Sequence, residues 1–128
     1  MSLFDEAVAE ILEIEGGYTT DDMGSPTNFG IRQANHPDVD VQHLTVQQAI
    51  SIYKAEYWDR CNCDHLPAQV AIVVFDAAVN QGPGWAKRTL QREAGVDADG
   101  VIGPETLAAV RQKPQEALAR AYLVRRLL

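Results

Sequence analysis

The chain has 128 residues, a formal net charge of −7 and 46% hydrophobic residues. This length is enough for one compact domain with a hydrophobic core. The negative charge argues against nucleic acid as the main partner, because phosphate binding depends on Lys and Arg. No apolar run is as long as a membrane helix, and the acidic N-terminus is unlike a secretory signal. We therefore expect synthesis in the cytoplasm without a signal peptide.

The spacing of apolar residues predicts an all-α or mainly α fold with about six helices. The first helix is predicted at 3–15, and a loop rich in Gly, Asp, Thr and Pro is predicted at 16–30. Residues 31–44 show no clear pattern and are expected to be irregular. Thr45 is expected to cap a second helix that ends at Tyr57-Trp58. The other helices are predicted at about 67–81, 85–94, 104–112 and from 114 to the C-terminus.

Glu15 is the first candidate for a catalytic role. It lies four residues after Ile11 and so continues the apolar face of the first helix, which then ends at Gly16-Gly17. Partial burial and the negative end of the helix dipole would both raise the pKa of its carboxyl. A raised pKa is what a general acid working near neutral pH requires. The alternative is a partly exposed glutamate near a frayed helix end.

Polar residues that could hold a water molecule or a sugar hydroxyl follow Glu15 in the loop. They are Asp21, Asp22, Thr27 and Asn28. The alternative is ordinary turn chemistry, since Asp, Asn, Thr and Gly are common in loops.

Two aromatic residues, Tyr57 and Trp58, end the second predicted helix. Aromatic rings stack on sugar faces, but they also fill cores. A core role is expected for one of the two.

Polar residues interrupt the otherwise apolar third helix. Asp76 and Asn80 are four residues apart and share a helix face, and Gln69 lies close to the same line. Such a narrow stripe either faces solvent or lines a cleft, and the sequence leaves both open.

No metal site is predicted. Cys61, Cys63 and His65 form a short cluster, but structural zinc needs four ligands and no second Cys/His pair lies nearby. We expect two free thiols. The turn at 97–100 resembles a calcium loop, yet Thr106 stands where the bidentate Glu should be.

Taken in order, several of these segments resemble glycoside hydrolase family 108. These are N-acetylmuramidases found among phage endolysins and bacterial secretion-activator proteins. The resemblance covers roughly residues 8–112, and several blocks recur in order. The matching catalytic blocks are Glu15-Gly16-Gly17-Tyr18, Asp21-Asp22, Gly24, Thr27-Asn28, Gly30-Ile31 and residues 52–58; residues 75–82, 90–91 and 99–106 are similar to the family's predicted peptidoglycan-binding region.

The resemblance implies a lysozyme-like helical fold and cleavage of the β-1,4 bond between N-acetylmuramic acid and N-acetylglucosamine. It also implies that Glu15 is the catalytic acid. The loop is about two residues shorter here than in the family, so Asp21, Asp22 and Thr27 all stay candidates for holding the attacking water. The residues expected to line the glycan groove are Tyr18, Asn28, Tyr57, Trp58, Asp76 and Asn80.

On this interpretation the chain is one domain, residues 1–128, with a catalytic block at 1–66 and a peptidoglycan-binding-like helical block at 67–128. We expect a monomer without cofactor or metal that binds the glycan strands of peptidoglycan. It would reach the cell wall after a holin-dependent release. Members of the resembled family usually continue past a final helix, whereas this sequence stops at Leu128, so we expect either a short family member or a truncated chain.

Two other functions are compatible with the sequence. The first is a non-catalytic peptidoglycan-binding module, which the third to fifth helices would provide. The second is an interaction protein whose Arg- and Leu-rich C-terminal helix contacts an anionic membrane surface. Packing of that helix on the core is the favoured expectation.

Overall fold

The computed structural model describes residues 2–20 and 24–128, with Glu15 described by its backbone alone. In this part of the chain the fold is mainly α, with six α-helices and one small sheet, which confirms the predicted fold class. The chain divides into two compact units, residues 1–53 and 54–128. This division differs from the expected blocks 1–66 and 67–128, and the single domain stays a prediction. The elements are α1 (Leu3–Glu15), β1 (Thr19–Thr20), β2 (Pro26–Asn28), β3 (Ile31–Arg32), α2 (Val46–Tyr53), α3 (Ala68–Gln81), α4 (Pro83–Ala94), α5 (Pro104–Arg111) and α6 (Gln115–Leu127).

The first helix has the predicted bounds because its N-terminus is capped. The backbone N–H of Asp5 donates to Ser2 Oγ at 3.1 Å, and the backbone N–H of Ser2 donates to the Asp5 carboxylate at 3.1 Å. This reciprocal capping box satisfies donors that the helix itself leaves free. Phe4 and Val8 are buried on the apolar face of α1.

The segment predicted as a loop at 16–30 contains part of a three-stranded antiparallel sheet, in the order β1-β2-β3. Asn28 pairs with Ile31 across a two-residue turn, Phe29-Gly30, in which both residues have positive φ. Positive φ at both central residues is the geometry of a type I′ turn, whose twist matches that of the flanking strands. The hydroxyl of Tyr53 donates to the Phe29 carbonyl at 2.7 Å and holds the turn in place.

Residues 33–43 form two short 3₁₀ helices, Gln33–Asn35 and Val41–His43. The Gln33 amide organises them: its Nε2 donates to the Val39 carbonyl at 2.6 Å, and its Oε1 accepts from the Val41 N–H at 3.3 Å. Thr45 then caps α2 as predicted, since its Oγ1 accepts from the Gln48 N–H at 3.1 Å.

A π-helical turn, Lys54–Trp58, follows α2 in the chain and begins the second unit. Its wider spacing is seen in the bond from the Asp59 N–H to the Lys54 carbonyl, at 2.8 Å. With regular α-helical spacing, the next residue on the same buried face as Tyr53 would be Tyr57, four positions later. In the structure Tyr57 is half-buried, and Trp58 is the fully buried residue.

In the second unit, α3 packs against both α4 and α6. Phe75 on α3 contacts Trp58 edge to face, with ring centroids 5.2 Å apart. Tyr122 on α6 lies in the same way against Trp85, at 6.1 Å, and its hydroxyl donates to the Ala86 carbonyl at 3.0 Å. The last helix is therefore packed, as favoured from the sequence, although Leu128 at its end stays 94% exposed.

A buried glutamine ties α4 to the turn before α5. Gln91 is completely buried, and its Nε2 donates to Asp99 Oδ1 at 2.8 Å and to the Val101 carbonyl at 2.9 Å. Its Oε1 accepts from the Gly100 N–H at 2.9 Å, and Thr106 Oγ1 lies 3.2 Å from Nε2. The acidic turn thus has a structural partner within the protein. Gly100, with φ of 82°, occupies the left-handed position that the turn needs.

Candidate active site

The backbone places Glu15 at the last position of α1. Gly16 follows with φ of 72°, and its N–H donates to the Leu12 carbonyl at 3.3 Å, which ends the helix. The last turn of α1 has no basic residue to offset the negative end of the helix dipole. The chain then enters β1, so the position of Glu15 is fixed between a capped helix and a sheet.

Of the three residues expected to hold the water, the structure describes Thr27. Asp21 and Asp22 lie outside the described residues. Thr27 is in β2, the central strand, and is paired with Thr19 on one side and Arg32 on the other. Residues directly opposite in an antiparallel pair share a face, so the side chains of Thr27 and Thr19 lie side by side.

The two other predicted groove residues of the first unit differ in accessibility. Tyr18 is 47% exposed and can meet a ligand. Asn28 is buried, and its Nδ2 donates to the Val41 carbonyl at 3.1 Å. The Asn28 amide therefore joins the sheet to the 3₁₀ helix at Val41–His43.

The two aromatic residues of the π turn also have different surroundings. Trp58 is 1% exposed, and its Nε1 donates to Asp64 Oδ1 at 2.8 Å. No face of this ring is free for a sugar, so Trp58 has the core role that was expected for one of the pair. Tyr57 is half-buried, and this burial raises the pKa of its hydroxyl. A neutral phenol of this kind can both donate and accept hydrogen bonds.

The polar stripe of α3 is partly occupied by protein contacts. The Asp76 carboxylate forms an ion pair with Arg126 of α6, with Oδ2 2.7 Å from Nη1. Asn80 is exposed, and its Nδ2 donates to the Asp76 carbonyl at 2.9 Å. One oxygen of Asp76 thus anchors α6, while its side chain is still 49% exposed. The structure therefore gives this stripe an anchoring role that neither expected alternative included.

Cys61 and Cys63 are both free and both buried. A hydrogen bond between the two thiols lowers the pKa of Cys61 and, together with burial, raises the pKa of Cys63. Cys63 Sγ also lies 3.8 Å from the Ala71 carbonyl. Among the described residues there is no group of three or more His, Cys, Asp or Glu placed to hold a metal ion.

The structure contains a groove that the sequence did not predict. It lies in the first unit, has a volume of about 570 Å³ and includes the 3₁₀ segment that was expected to be irregular. No periodic pattern marked this segment, because 3₁₀ helices of three residues are too short to show one. Its lining residues are Asp38, Val39, Asp40, His43, Leu44, Gln47, Gln48, Ser51 and Ile52.

Comparison with known proteins connects this geometry to a family. The family model for glycosyl hydrolase 108 matches residues 8–82, which include the end of α1, the sheet and α3. The chain belongs to glycosyl hydrolase family 108. A second model, the predicted peptidoglycan domain, matches residues 85–127, which hold α4, α5 and α6. The family-108 chain is therefore a glycosidase that acts on the peptidoglycan of the cell wall.

A solved structure supports the same assignment. The structure of Brucella abortus SagA is similar to this family-108 chain, with 37% sequence identity and a TM-score of 0.82. The similarity covers 90% of this chain and 72% of that one. No curated protein matches the chain. In the described part of the chain, no helix is both long and apolar enough to cross a membrane.

Proposed function

We propose that this chain is an endolysin-type N-acetylmuramidase, a lysozyme that hydrolyses the β-1,4 bond between N-acetylmuramic acid and N-acetylglucosamine. One observation carries the proposal. The family-108 match includes Glu15, and the backbone holds this residue at the junction of a capped helix and a sheet. A carboxyl at a helix C-terminus meets the negative end of the dipole, which favours the protonated form that an acid catalyst uses.

In the proposed reaction, Glu15 transfers its proton to the glycosidic oxygen as the bond to the anomeric carbon breaks. The sugar at the cleavage point gains oxocarbenium character, and a water molecule attacks the anomeric carbon. Asp21 or Asp22 would orient this water and accept its proton, and Thr27 would hold it by a hydrogen bond. The separation of the two carboxyls decides between inversion and retention, so the anomeric form of the first product distinguishes direct attack by water from attack by a carboxylate nucleophile.

The proposed glycan contacts are the accessible members of the expected set. Tyr18 offers an exposed ring for stacking on a sugar face. Tyr57 and Asn80 offer hydrogen-bonding groups, and Asp76 offers the part of its carboxylate that remains exposed. Asn28 and Trp58 are buried, and each would support the accessible contact residues of its own unit.

The test is Glu15→Gln, compared with Glu13→Gln as a matched control. Both substitutions remove one negative charge from the last turn of α1, and Glu13 is exposed. We expect Glu15→Gln to fold normally and to lose the clearing of purified peptidoglycan by a factor of about 10² or more, the range of general acid catalysis. Glu13→Gln should keep the activity. Full clearing by Glu15→Gln would refute the role of this residue.

Mass spectrometry of the digestion products identifies the bond. Reducing-end muramic acid is expected. Reducing-end glucosamine would instead indicate a glucosaminidase, and anhydro-muramic acid a lytic transglycosylase. Either of these two products would overturn the muramidase proposal while leaving the family assignment intact.

A non-catalytic peptidoglycan-binding module is the second candidate, and the match of residues 85–127 to the predicted peptidoglycan domain favours it. It predicts that the full chain sediments with cell walls and releases no reducing sugar. Release of reducing sugar by the wild-type chain, lost in Glu15→Gln, would exclude this candidate.

For its cellular role we propose a monomer that is made in the cytoplasm and reaches the wall through a holin-dependent route. Expression in a bacterial host should then cause lysis only when the inner membrane is opened, for example by chloroform or by a co-expressed holin. Lysis without either treatment would contradict this route. Light scattering of the purified chain tests the monomer.

A further inference from the structure

The charges of this chain are segregated along the sequence. Residues 83–128, which hold α4 to α6, carry eight Lys and Arg against five Asp and Glu, a net charge of +3. Residues 1–82 carry three Lys and Arg against thirteen Asp and Glu, a net charge of −10. An anionic polymer is therefore repelled by the first part of the sequence and attracted by the second.

Most arginines of the basic part already have partners inside the protein. Arg120 pairs with Glu116, Arg125 with Glu93, and Arg126 with Asp76; Arg111 donates to the His65 carbonyl at 3.2 Å. The two arginines on the exposed side of α4 differ from these four. Arg88 and Arg92 are exposed, and neither forms an ion pair with any residue that the structure describes.

These two arginines share one face of α4. They are four residues apart, and Trp85 lies three residues before Arg88, so all three point to the same side. Ala86 and Leu90 occupy the opposite side and are fully buried in the core. The outer face of α4 therefore combines two guanidinium groups, neither of them within ion-pair distance of a described carboxylate, with one half-buried indole ring. Arg88 also lies near enough to Asp99 for its charge to help lower the pKa of that carboxyl.

The Arg88 guanidinium lies close to two glycines. A Cβ atom at Gly84 would lie 3.2 Å from Arg88 Nη1, and one at Gly100 would lie 3.3 Å from Arg88 Nη2. The absence of a side chain at both positions leaves room for the guanidinium between α4 and the turn at Gly100. Its planar fork of donors suits recognition of a planar carboxylate.

We propose that the outer face of α4 is a carboxylate-binding surface for the stem peptides of peptidoglycan. Arg88 and Arg92 would bind the free carboxylates of these peptides, and Trp85 would contact the adjoining apolar or sugar atoms. Charge complementarity supports this partner, because stem peptides are the anionic part of the polymer on which the family acts. The inference deepens the proposed function, since it names the part of the substrate that α4 to α6 recognise.

The test is co-sedimentation of the full chain with insoluble peptidoglycan at 4 °C. Arg88→Gln and Arg92→Gln should each weaken binding by about tenfold, as expected for a lost charge-assisted hydrogen bond. Arg88→Lys should lose less, because it keeps the charge but not the paired donors. Arg120→Gln is the matched control: it removes one positive charge from an exposed helix position that has its own partner. It should stay within about twofold of wild type, the size of a surface charge effect.

Treated walls identify the ligand group. Carbodiimide amidation of the peptide carboxylates, or removal of the peptides by an amidase, should abolish the difference between wild type and Arg88→Gln. Walls stripped of phosphate polymers should keep it. Equal binding by wild type and the Arg88→Gln/Arg92→Gln variant on intact walls would refute the proposed binding surface. Loss of the difference only after phosphate stripping would also overturn it, because the bound group would then be a phosphate.

Reducing sugar measured in parallel tubes at 37 °C reports bond cleavage separately, so a failed muramidase proposal is distinguishable from a failed binding surface. Thermal melting confirms that each variant is folded.

Discussion

Replacing Gln91 by Leu should destabilise the second unit strongly, although the two side chains have similar size. Gln91 is completely buried, and both ends of its amide are used by the turn that precedes α5. Leu can fill the space but can neither donate nor accept. The part-buried Gly100 N–H then loses its acceptor, Gln91 Oε1 at 2.9 Å. The buried Thr106 Oγ1 loses the Gln91 donor at 3.2 Å and keeps only its own 3.5 Å bond to the Val101 carbonyl.

The expected magnitude follows from these two groups. The loss of a hydrogen-bond partner inside the protein costs about 1–3 kcal/mol per group, so the free energy of unfolding should fall by roughly 3 kcal/mol. With a urea dependence of about 1.5 kcal/mol per molar for a chain of this size, the unfolding midpoint should move by about 2 M.

Tryptophan fluorescence is a suitable assay. The chain has two tryptophans, Trp58 and Trp85, and both belong to the unit that contains Gln91. Gln112→Leu is the control, because it makes the same chemical change at an exposed position and should stay within about 0.5 kcal/mol. A midpoint shift for Gln91→Leu no larger than that of the control would refute the buried-network argument.

Four further changes test other parts of the second unit. Hydrogen bonds from the Val101 N–H and the Gln91 amide lower the pKa of Asp99 in the folded protein. The stabilisation that Asp99 provides is therefore present above its pKa in the unfolded chain, and it is lost as the pH falls through its lower pKa in the folded protein. The melting temperature of Asp99→Asn should then approach that of wild type below about pH 4. A double-mutant cycle with Asp76→Asn and Arg126→Gln should give a coupling of about 1 kcal/mol that shrinks in high salt. Tyr122→Phe should cost about 1 kcal/mol in urea unfolding, because its buried hydroxyl bond to Ala86 is lost. Gly84→Ala should raise the melting temperature, with a gain of about 0.5 kcal/mol in helix preference, since the flexible end of Arg88 can yield to the new methyl group.

Each of these changes has a matching control or a contradicting result. A gap between Asp99→Asn and wild type that stays constant from pH 7 to pH 3 would argue against the Asp99 assignment. A coupling of zero would show that the Asp76 ion pair contributes nothing. Unchanged stability of Tyr122→Phe would mean that water replaces the hydroxyl. A lower melting temperature for Gly84→Ala would show that Arg88 cannot move.

Much of the helical fold could be predicted because its signals are local. Ser2 caps α1 and Thr45 caps α2, and both caps act on residues only three positions away. The start of α4 was placed two residues late, at Trp85, because Gly82-Pro83-Gly84 was interpreted as a helix break. The helix instead begins at Pro83, a residue that is well suited to the first helical position because its missing N–H is not needed there.

The missed features depend on short elements or distant partners. Strands of two or three residues, such as Thr19–Thr20, cannot show the alternation by which strands are recognised. The ion pair of Asp76 joins residues fifty positions apart, and helical spacing carries no information about Arg126. The candidate site has the same limit: Thr27 was placed near Glu15 by sequence proximity, while its pairing with Thr19 became visible only in the sheet.

The π turn at Lys54–Trp58 has a consequence for how this protein can change in length. A π turn holds one residue more than an α turn, so Trp58 takes the buried position that regular α-helical spacing would give to Tyr57. Deleting one residue between Tyr53 and Tyr57 would place Trp58 four residues after Tyr53, where an ordinary α turn brings it to the same buried position. A one-codon deletion in this segment should therefore be tolerated, because it leaves the same aromatic ring buried. For directed evolution, Lys54–Trp58 is a place where the chain can be shortened by one residue.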